Sequence, residues 1–377
     1  MTLILDFILV VGITITVLIL FLLIKSKEKQ VPKYLLTILF VFLLFVSIFF
    51  YADLHDIDVL QHISFVPFDT TQWLIGPLLF LYIKSLFLKK EKLIKSTIIH
   101  FIPFGIYLGF ISIPELISDI VEKTIFDYLD FYFEHSIIEA ELANLYTLSY
   151  LFLSFKLFSR YRKAMKANYS NLTEKDFGWI KHLLVGSSIV ISIDLILLLY
   201  QHIFDYEDFD YSYIPVIAMI FLISYLGYYG INQSKVLLPD FLIHEDTPET
   251  TKKERIHHLS NSTNAELSEL RLKLEQVLKN EKPYLDEELT LIKLAQLIPT
   301  TDKKLSALLN QYMNVSFYVI INSYRVEAVK EKMNSKEYAN YTLLGIAYEC
   351  GFSSKTSFNR IFKKETGFSP SAYKNNL

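Results

Sequence analysis

The chain carries two hydrophobic patterns that change over near Ile231. From Leu3 to Ile24 apolar residues run on with interruptions only at Asp6, Gly12 and threonines, a length that crosses the ~30 Å hydrocarbon layer of a bilayer as a helix. Similar runs at Tyr34–Ala52, Trp73–Leu88, Thr97–Ile113, Leu142–Phe158, Trp179–Gln201 and Tyr213–Ile231 predict seven spans in all. Beyond Ile231 apolar positions instead recur at helical spacing among charges, the pattern of water-facing helices. Asn232 to Ser262 is polar, holds Pro239 and Pro248, and reads as a tether. A helix is then predicted from Asn264 to Asn280, with Leu267, Leu270, Leu274, Val277 and Leu278 on one stripe. That stripe fits either a short coil pairing two subunits or packing onto the helices that follow.

The loops between the predicted spans alternate in charge. One set holds Lys25, Lys27, Lys29 and Lys33, then Lys89, Lys90, Lys92 and Lys95, then Arg160, Arg162, Lys163, Lys166 and Lys175. The other holds Asp53, Asp56, Asp58 and Asp69, then Glu115 to Glu141 with Lys123 as its one base, then Asp205, Glu207, Asp208 and Asp210. Lys and Arg accumulate on the cytoplasmic side, so the amino terminus is expected outside and everything after Ile231 in the cytoplasm. The first run is not expected to be a cleaved leader, because no basic stretch precedes it and Lys25, Lys27 and Lys29 follow it.

Composition agrees with this division. Hydrophobic residues make up 52% and aromatics 15% of the 377 residues, and the mean hydropathy is +0.32, above the range of a soluble globule of this length. Cys350 is the one cysteine, which rules out an intramolecular disulfide and suits a reducing compartment. A small apolar residue buried in a turn is the plain reading of it.

The most specific pattern lies between Tyr341 and Tyr373, YTLLGIAYECGFSSKTSFNRIFKKETGFSPSAY. Leu343, Ile346 and Ala347 form one apolar face, Gly351 breaks the run, and Ser353 or Ser354 caps a second helix. That helix turns Phe358, Ile361 and Phe362 inward and Lys355, Arg360, Lys363 and Lys364 outward. Leu291 to Tyr318 repeats the pattern with one residue fewer in the turn: Ala295 matches Ala347, Leu305 matches Phe358, Leu309 matches Phe362 and Ser316 matches Ser369. The two copies are joined by Val319 to Asn334, with Ile320, Tyr324, Ala328 and Val329 on one face. From Leu289 onward twelve bases stand against six acids, a net of +6, although the whole chain is −3. A major groove admits one α-helix and its phosphates favour Lys and Arg beside it.

At these residues the chain resembles the DNA-binding domain of AraC-type transcription regulators, two helix-turn-helix units on a shared connecting helix. The resemblance covers about Pro283 to Asn376 and rests on GF followed by SxxSFNRxFKKxTGxSPxxY. It implies that Lys355, Thr356 and Arg360 face base edges and that Lys363 and Lys364 face phosphate. In the first unit it implies outward positions for Lys303, Lys304, Ser306 and Ala307, with Thr301 capping the recognition helix. Ala307 reaches nothing but a thymine methyl, so the second unit is expected to carry more of the specificity. GPLLFLYIKSL together with HFIPF resembles the multi-span amino-terminal regions of membrane-embedded AraC-type regulators of the Bacteroidetes type.

Within the spans Asp194 is the acid placed well inside apolar sequence, which marks it either as a sensing group or as a protonated acid bonded to a Ser or Tyr of a neighbouring helix. Gly105 and Gly109 have the spacing that lets helices approach closely, and Pro77 and Pro103 are expected to kink their helices. Trp73 and Trp179 suit the interface belt, and His100 and Lys84 suit snorkelling or capping. Pro114 to Glu141 reads as an outer amphipathic segment, either covering a ligand cavity or forming a solvated lid; His135 in it stands alone. No HExxH, phosphate-binding loop or GxSxG elbow occurs, which disfavours an enzyme, and neither metal nor cofactor is expected.

The expected architecture is all-α: a seven-helix transmembrane bundle over residues 1–231, a tether and linker helix over 232–282, and a cytoplasmic tandem helix-turn-helix domain over 283–377. The implied partners are double-stranded promoter DNA and the lipid bilayer, with RNA polymerase, a second copy of the chain in a homodimer and an unidentified small-molecule or membrane signal as further candidates. Two rivals remain at this point: a receptor or transporter with a helical scaffold, and a regulator merely anchored by a passive bundle.

Overall fold

The computed structural model describes residues 2–26, 30–87, 98–121, 128–129, 136–171, 178–204, 213–232 and 264–375. Nearly all of these are helical, and among them the one β-type pairing is an isolated antiparallel bridge between Tyr169 and Thr290. The basic loop around Lys89, the acidic loop at 205–210, His135 and most of the predicted tether lie outside the described residues. The chain divides into two compact units, Met1–Phe158 with Phe177–Leu237, and Ser159–Asp176 with Leu238–Leu377.

The first unit begins with α1 (Thr2–Lys25) and α2 (Val31–Leu54), both long and almost wholly apolar. Helix α3 (Asp58–Thr71) follows and packs along α2, with Phe68 stacked on Phe49 at 3.9 Å. It corrects the expectation of an acidic loop there. The acids at its start obscure Leu60, Ser64 and Phe68, which follow one another at i, i+4 and i+8. Helix α4 (Ile75–Phe87) is 13 residues long. The next run, Ile98–Ile120, is assembled from a 3₁₀ turn, α5 (Ile102–Tyr107), a π turn at Leu108–Ser112 and α6 (Ile113–Ile120). Helix α7 (Ser136–Asn168, 33 residues), α8 (Gly178–Phe204) and α9 (Tyr213–Asn232) complete the apolar half.

Among the described residues, five stretches are long and apolar enough to cross a membrane: Leu3–Lys25, Val31–Leu54, Ile98–Ile120, Gly178–Tyr200 and Tyr213–Ile231. The other two expected spans differ in kind. Helix α4 is short, and α7 carries Glu139, Glu141 and Asn144 near one end and Arg160, Arg162 and Lys163 near the other. Large apolar side chains point outward from the five, among them Leu3, Phe7, Ile24, Phe110 and Phe221.

Three expectations within this unit are corrected. Pro103 lies in the first turn of α5, and Pro77 is the third residue of α4, where a missing N–H breaks no helical bond; both open helices rather than kink them. Among the described residues nothing lies within 4 Å of a carbon added at Gly105 or Gly109, so neither glycine makes a close helix approach within the described part of the chain. Asp194 is bonded neither to Ser nor to Tyr: Asn144 on α7 donates to its Oδ2 at 2.8 Å.

The second unit packs α10 (Asn264–Asn280), α11 (Leu291–Leu297), α12 (Asp302–Ala307), α13 (Phe317–Asn334), α14 (Leu343–Glu349), α15 (Lys355–Thr366) and α16 (Pro370–Asn375) around one core. Leu267, Leu270, Leu274 and Leu278 of α10 are buried in that core beside Leu294, Leu309 and Ile321. The α10 stripe is therefore consumed by internal packing, the second of the two roles it fitted. The end of α7 belongs to this unit as well.

Candidate nucleic-acid interface

Two helix–turn–helix elements flank α13, and each helix start is held by a hydroxyl. The side chains of Thr290, Thr301, Thr342 and Ser354 accept from the amides of Lys293, Lys304, Gly345 and Ser357, and Ser316 caps α13 through Val319. Each cap satisfies an amide that the first turn leaves without a helical partner. The internal repeat holds in three dimensions, because Ala295 and Ala347, Leu305 and Phe358, and Leu309 and Phe362 are all buried.

The turn of the second element depends on Gly351, whose φ is +84°, a region that other L-residues enter only with strain. A β-carbon added there would run into the Tyr284 carbonyl and come to 3.0 Å or less from the Leu285 carbonyl and Arg325 Nε, so there is no room for a side chain. Cys350 beside it is fully buried, and burial pushes its thiol up to about 11. This is the inert turn residue of the plain reading.

Helix α15 separates its faces cleanly. Ser357, Phe358, Ile361 and Phe362 are buried, while Lys355, Thr356, Asn359, Arg360, Lys363 and Lys364 are exposed. Asn359, absent from the sequence expectation, lies four residues from both Lys355 and Lys363 on this face; its i, i+4 spacing was the available signal. The Arg360 guanidinium donates to the Tyr318 hydroxyl of α13 at 3.2 Å, which tethers this exposed arginine to the connecting helix.

The first element is smaller. Helix α12 continues into a π turn at Leu308–Tyr312, and it exposes Lys303 and, in part, Lys304 and Ala307. Ser306 departs from its expected outward position: it is 3% exposed, and Asn310 Nδ2 donates to its carbonyl and hydroxyl oxygens.

Arg325, counted in the positive surplus, is wholly buried, so its guanidinium is not available to meet phosphate or base. Burial pushes its guanidinium down to about 10 against the pull of Asp286. Lys293, Lys330 and Lys332 are paired with Asp286, Glu327 and Glu349. Among the described residues, no recorded ion pair engages Lys303, Lys304, Lys355, Arg360, Lys363 or Lys364. These six cations lie on the two helices that a groove would receive; Lys336 and Lys374, elsewhere in the domain, are likewise in no ion pair among the described residues.

Residues 294–376 match the helix-turn-helix domain family. The carboxyl-terminal region is a helix-turn-helix domain. A stretch of 102 residues, 27% of this chain, is 30% identical to an uncharacterized HTH-type transcriptional regulator of Staphylococcus aureus (strain COL), and the match spans 13% of that protein. No solved structure matches the chain. The family match begins at Leu294 and so omits α10, although α10 supplies four leucines to the helix-turn-helix core.

Apart from this domain, the first unit holds an apolar cavity of about 160 Å³, lined by Leu39, Leu79, Leu151, Leu183, Met219 and Leu222, among others, with Thr147 and Ser187 as polar wall residues.

Proposed function

We propose that the chain is a membrane-embedded transcription regulator of the AraC type, whose helix-turn-helix domain binds promoter DNA at the cytoplasmic face of the inner membrane. The observation that carries this reading is the presence, on one chain, of five membrane-length apolar helices and a doubled helix-turn-helix with free cations on the reading helices. Outward-facing Leu, Ile and Phe on the apolar helices support lipid contact, since patches of this kind mark membrane or protein interfaces. Five crossings and seven are both odd numbers, so either places the two chain ends on opposite sides. The alternation of loop charge favours seven, with α4 and α7 crossing too and the amino terminus outside.

In this reading Lys355, Thr356, Asn359 and Arg360 face base edges, and Lys363 and Lys364 face phosphates. The first element adds Lys303, Lys304 and Ala307, and Ser306 is withdrawn to a structural role. Asp194, paired with Asn144, and the apolar cavity are the places in the membrane half where a signal would act. The test is genome-wide crosslinking of the intact chain in its membrane: discrete promoter sites are expected, and their absence would reject the function.

A further inference from the structure

The second unit contains a segment from outside the helix-turn-helix domain. After α7 ends at Asn168, residues Tyr169 and Ser170 lie against the loop that opens α11 and against α13. Tyr169 forms the antiparallel bridge with Thr290, and the Ser170 amide and hydroxyl both donate to the Leu289 carbonyl, at 3.4 and 2.8 Å. The Ser170 carbonyl accepts from Asn322 Nδ2 at 2.8 Å and from Arg325 Nη1 at 3.3 Å. Its hydroxyl oxygen accepts from Arg325 Nη2 at 3.0 Å. Ser170, Asn322 and Arg325 are all 2% exposed or less, so this is a closed polar seat, not a surface touch.

Two properties of the seat suit it to control. The contact at Ser170 is made of hydrogen bonds, and Arg325 keeps the Tyr284 and Asp286 carbonyls, at 2.7 and 2.8 Å, whether or not Ser170 is there. Withdrawal of Ser170 therefore does not strand the charge. The seat also shares a helix face with the reading machinery, because Tyr318, Asn322 and Arg325 are spaced i, i+4 and i+7 on α13. Asn322 Nδ2 bonds the Tyr318 carbonyl at 2.8 Å as well as Ser170, and the Tyr318 hydroxyl receives Arg360. A run of bonded residues thus links Ser170 to the arginine of the second reading helix.

We propose that residues 168–171, at the end of α7, are a docking segment for the helix-turn-helix domain, and that their seating on Leu289, Asn322 and Arg325 sets the position of α13 and Arg360 and so the sequence preference of DNA binding. The inference rests on the regulator reading above and adds its control point. None of the bonds made by Ser170 itself involves a residue of α12 or α15. The segment acts as a brace, not as a plug. Helix α7 begins in the first unit and ends at this seat, which makes it the element through which a change in the apolar half arrives.

The test uses the full chain in lipid nanodiscs and a duplex that this chain selects from a random pool. Ser170→Pro removes the amide and hydroxyl donors while leaving residues 264–375 unaltered. It is expected to lower the preference for the selected duplex over random competitor at least fivefold, with the affinity for random duplex changed less than twofold. In an Arg360→Ala background the same substitution is expected to have no further effect, the signature of a shared route. A second measurement places cysteines at Tyr169 and Thr290, where bridge pairing brings the two residues within disulfide reach. Oxidation is expected to crosslink them in membranes, and the oxidised chain should show the same preference as the reduced chain of the same variant, which carries the loss of the Thr290 cap equally. If the cysteines fail to crosslink, the seat is refuted; if Ser170→Pro leaves preference unchanged or tightens binding, the brace is refuted. A wild-type chain that prefers no duplex removes the regulator reading itself, an outcome distinct from both.

Discussion

Gly351→Ala is expected to damage the helix-turn-helix domain far more than Gly367→Ala, although both residues adopt the same left-handed backbone. Their φ angles are +84° and +82°, so each alanine costs about 1–2 kcal/mol for that conformation alone. At Gly367 nothing lies within 4 Å of the added carbon, and the conformational cost is the whole effect. At Gly351 the added carbon runs into the Tyr284 carbonyl oxygen and comes within 2.9 Å of Arg325 Nε and 3.0 Å of the Leu285 carbonyl oxygen. Tyr284 and Arg325 are bonded to each other at 2.7 Å, so the methyl must wedge them apart. Losing a hydrogen bond to a buried charged group adds about 1.5–3 kcal/mol, for a total of roughly 3–5 kcal/mol.

Hydrogen exchange on the full-length chain measures this directly, because protection in Leu343–Thr366 reports the local opening free energy. With 1.4 kcal/mol per factor of ten, protection should fall on the order of a hundredfold or more for Gly351→Ala and by about five- to thirtyfold for Gly367→Ala. Equal losses at the two positions would show that the clash with Tyr284 and Arg325 is not what excludes a side chain, and the account of the turn would be wrong.

Arg360→Ala should reduce the preference for selected over random DNA by about 1–3 kcal/mol, read by competition binding; an equal loss on both duplexes rejects base reading. Replacing Lys363 and Lys364 with glutamine should make the log–log salt dependence of binding shallower by about 1.8, two phosphate contacts at ~0.9 each, and an unchanged slope removes them from the phosphate contacts. Leu274→Ala should destabilise the helix-turn-helix domain by about 2–5 kcal/mol, as expected for a fully buried leucine, without altering the mass of the particle; a change of oligomer in place of stability would return the α10 stripe to a pairing role. A phosphatase or fluorescent reporter fused after Ile231 should report the cytoplasm, and periplasmic activity would overturn the proposed orientation.

The features legible in the sequence were those encoded within a few residues. The caps at Thr301 and Ser354, the glycine turn at 351 and the buried repeat of Leu305 and Phe358 are set by neighbours three or four positions away, and local spacing displays them. Features decided by distant partners were hidden. Arg325 looks like surface charge until carbonyls of Tyr284, Asp286 and Ser170, up to 155 residues away in sequence, are found around it. Ser306 looks outward-facing because it is polar, yet its own turn supplies the Asn310 amide that makes burial tolerable. Helix α3 was concealed by acids that suggest a loop although its apolar spacing is helical. The difference at the fifth expected span, Leu142–Phe158, has the same origin, since α7 mixes polar ends with an apolar middle.

The two helix-turn-helix elements are unequal for reasons that go beyond side-chain identity. Helix α15 runs for 12 residues and holds a regular two-row face, 355–359–363 beside 356–360–364. Helix α12 is regular for only six residues before its backbone widens into the π turn, so residues after Ala307 lose the i, i+4 register that lines side chains along a groove. Arg360 is further held by Tyr318, which lowers the conformational freedom it must give up on meeting a base. Under the proposed function, length, register and preorganisation all favour the second element as the principal reader. The first is left to supply charge through Lys303 and Lys304, together with the spacing that α13 imposes between the two.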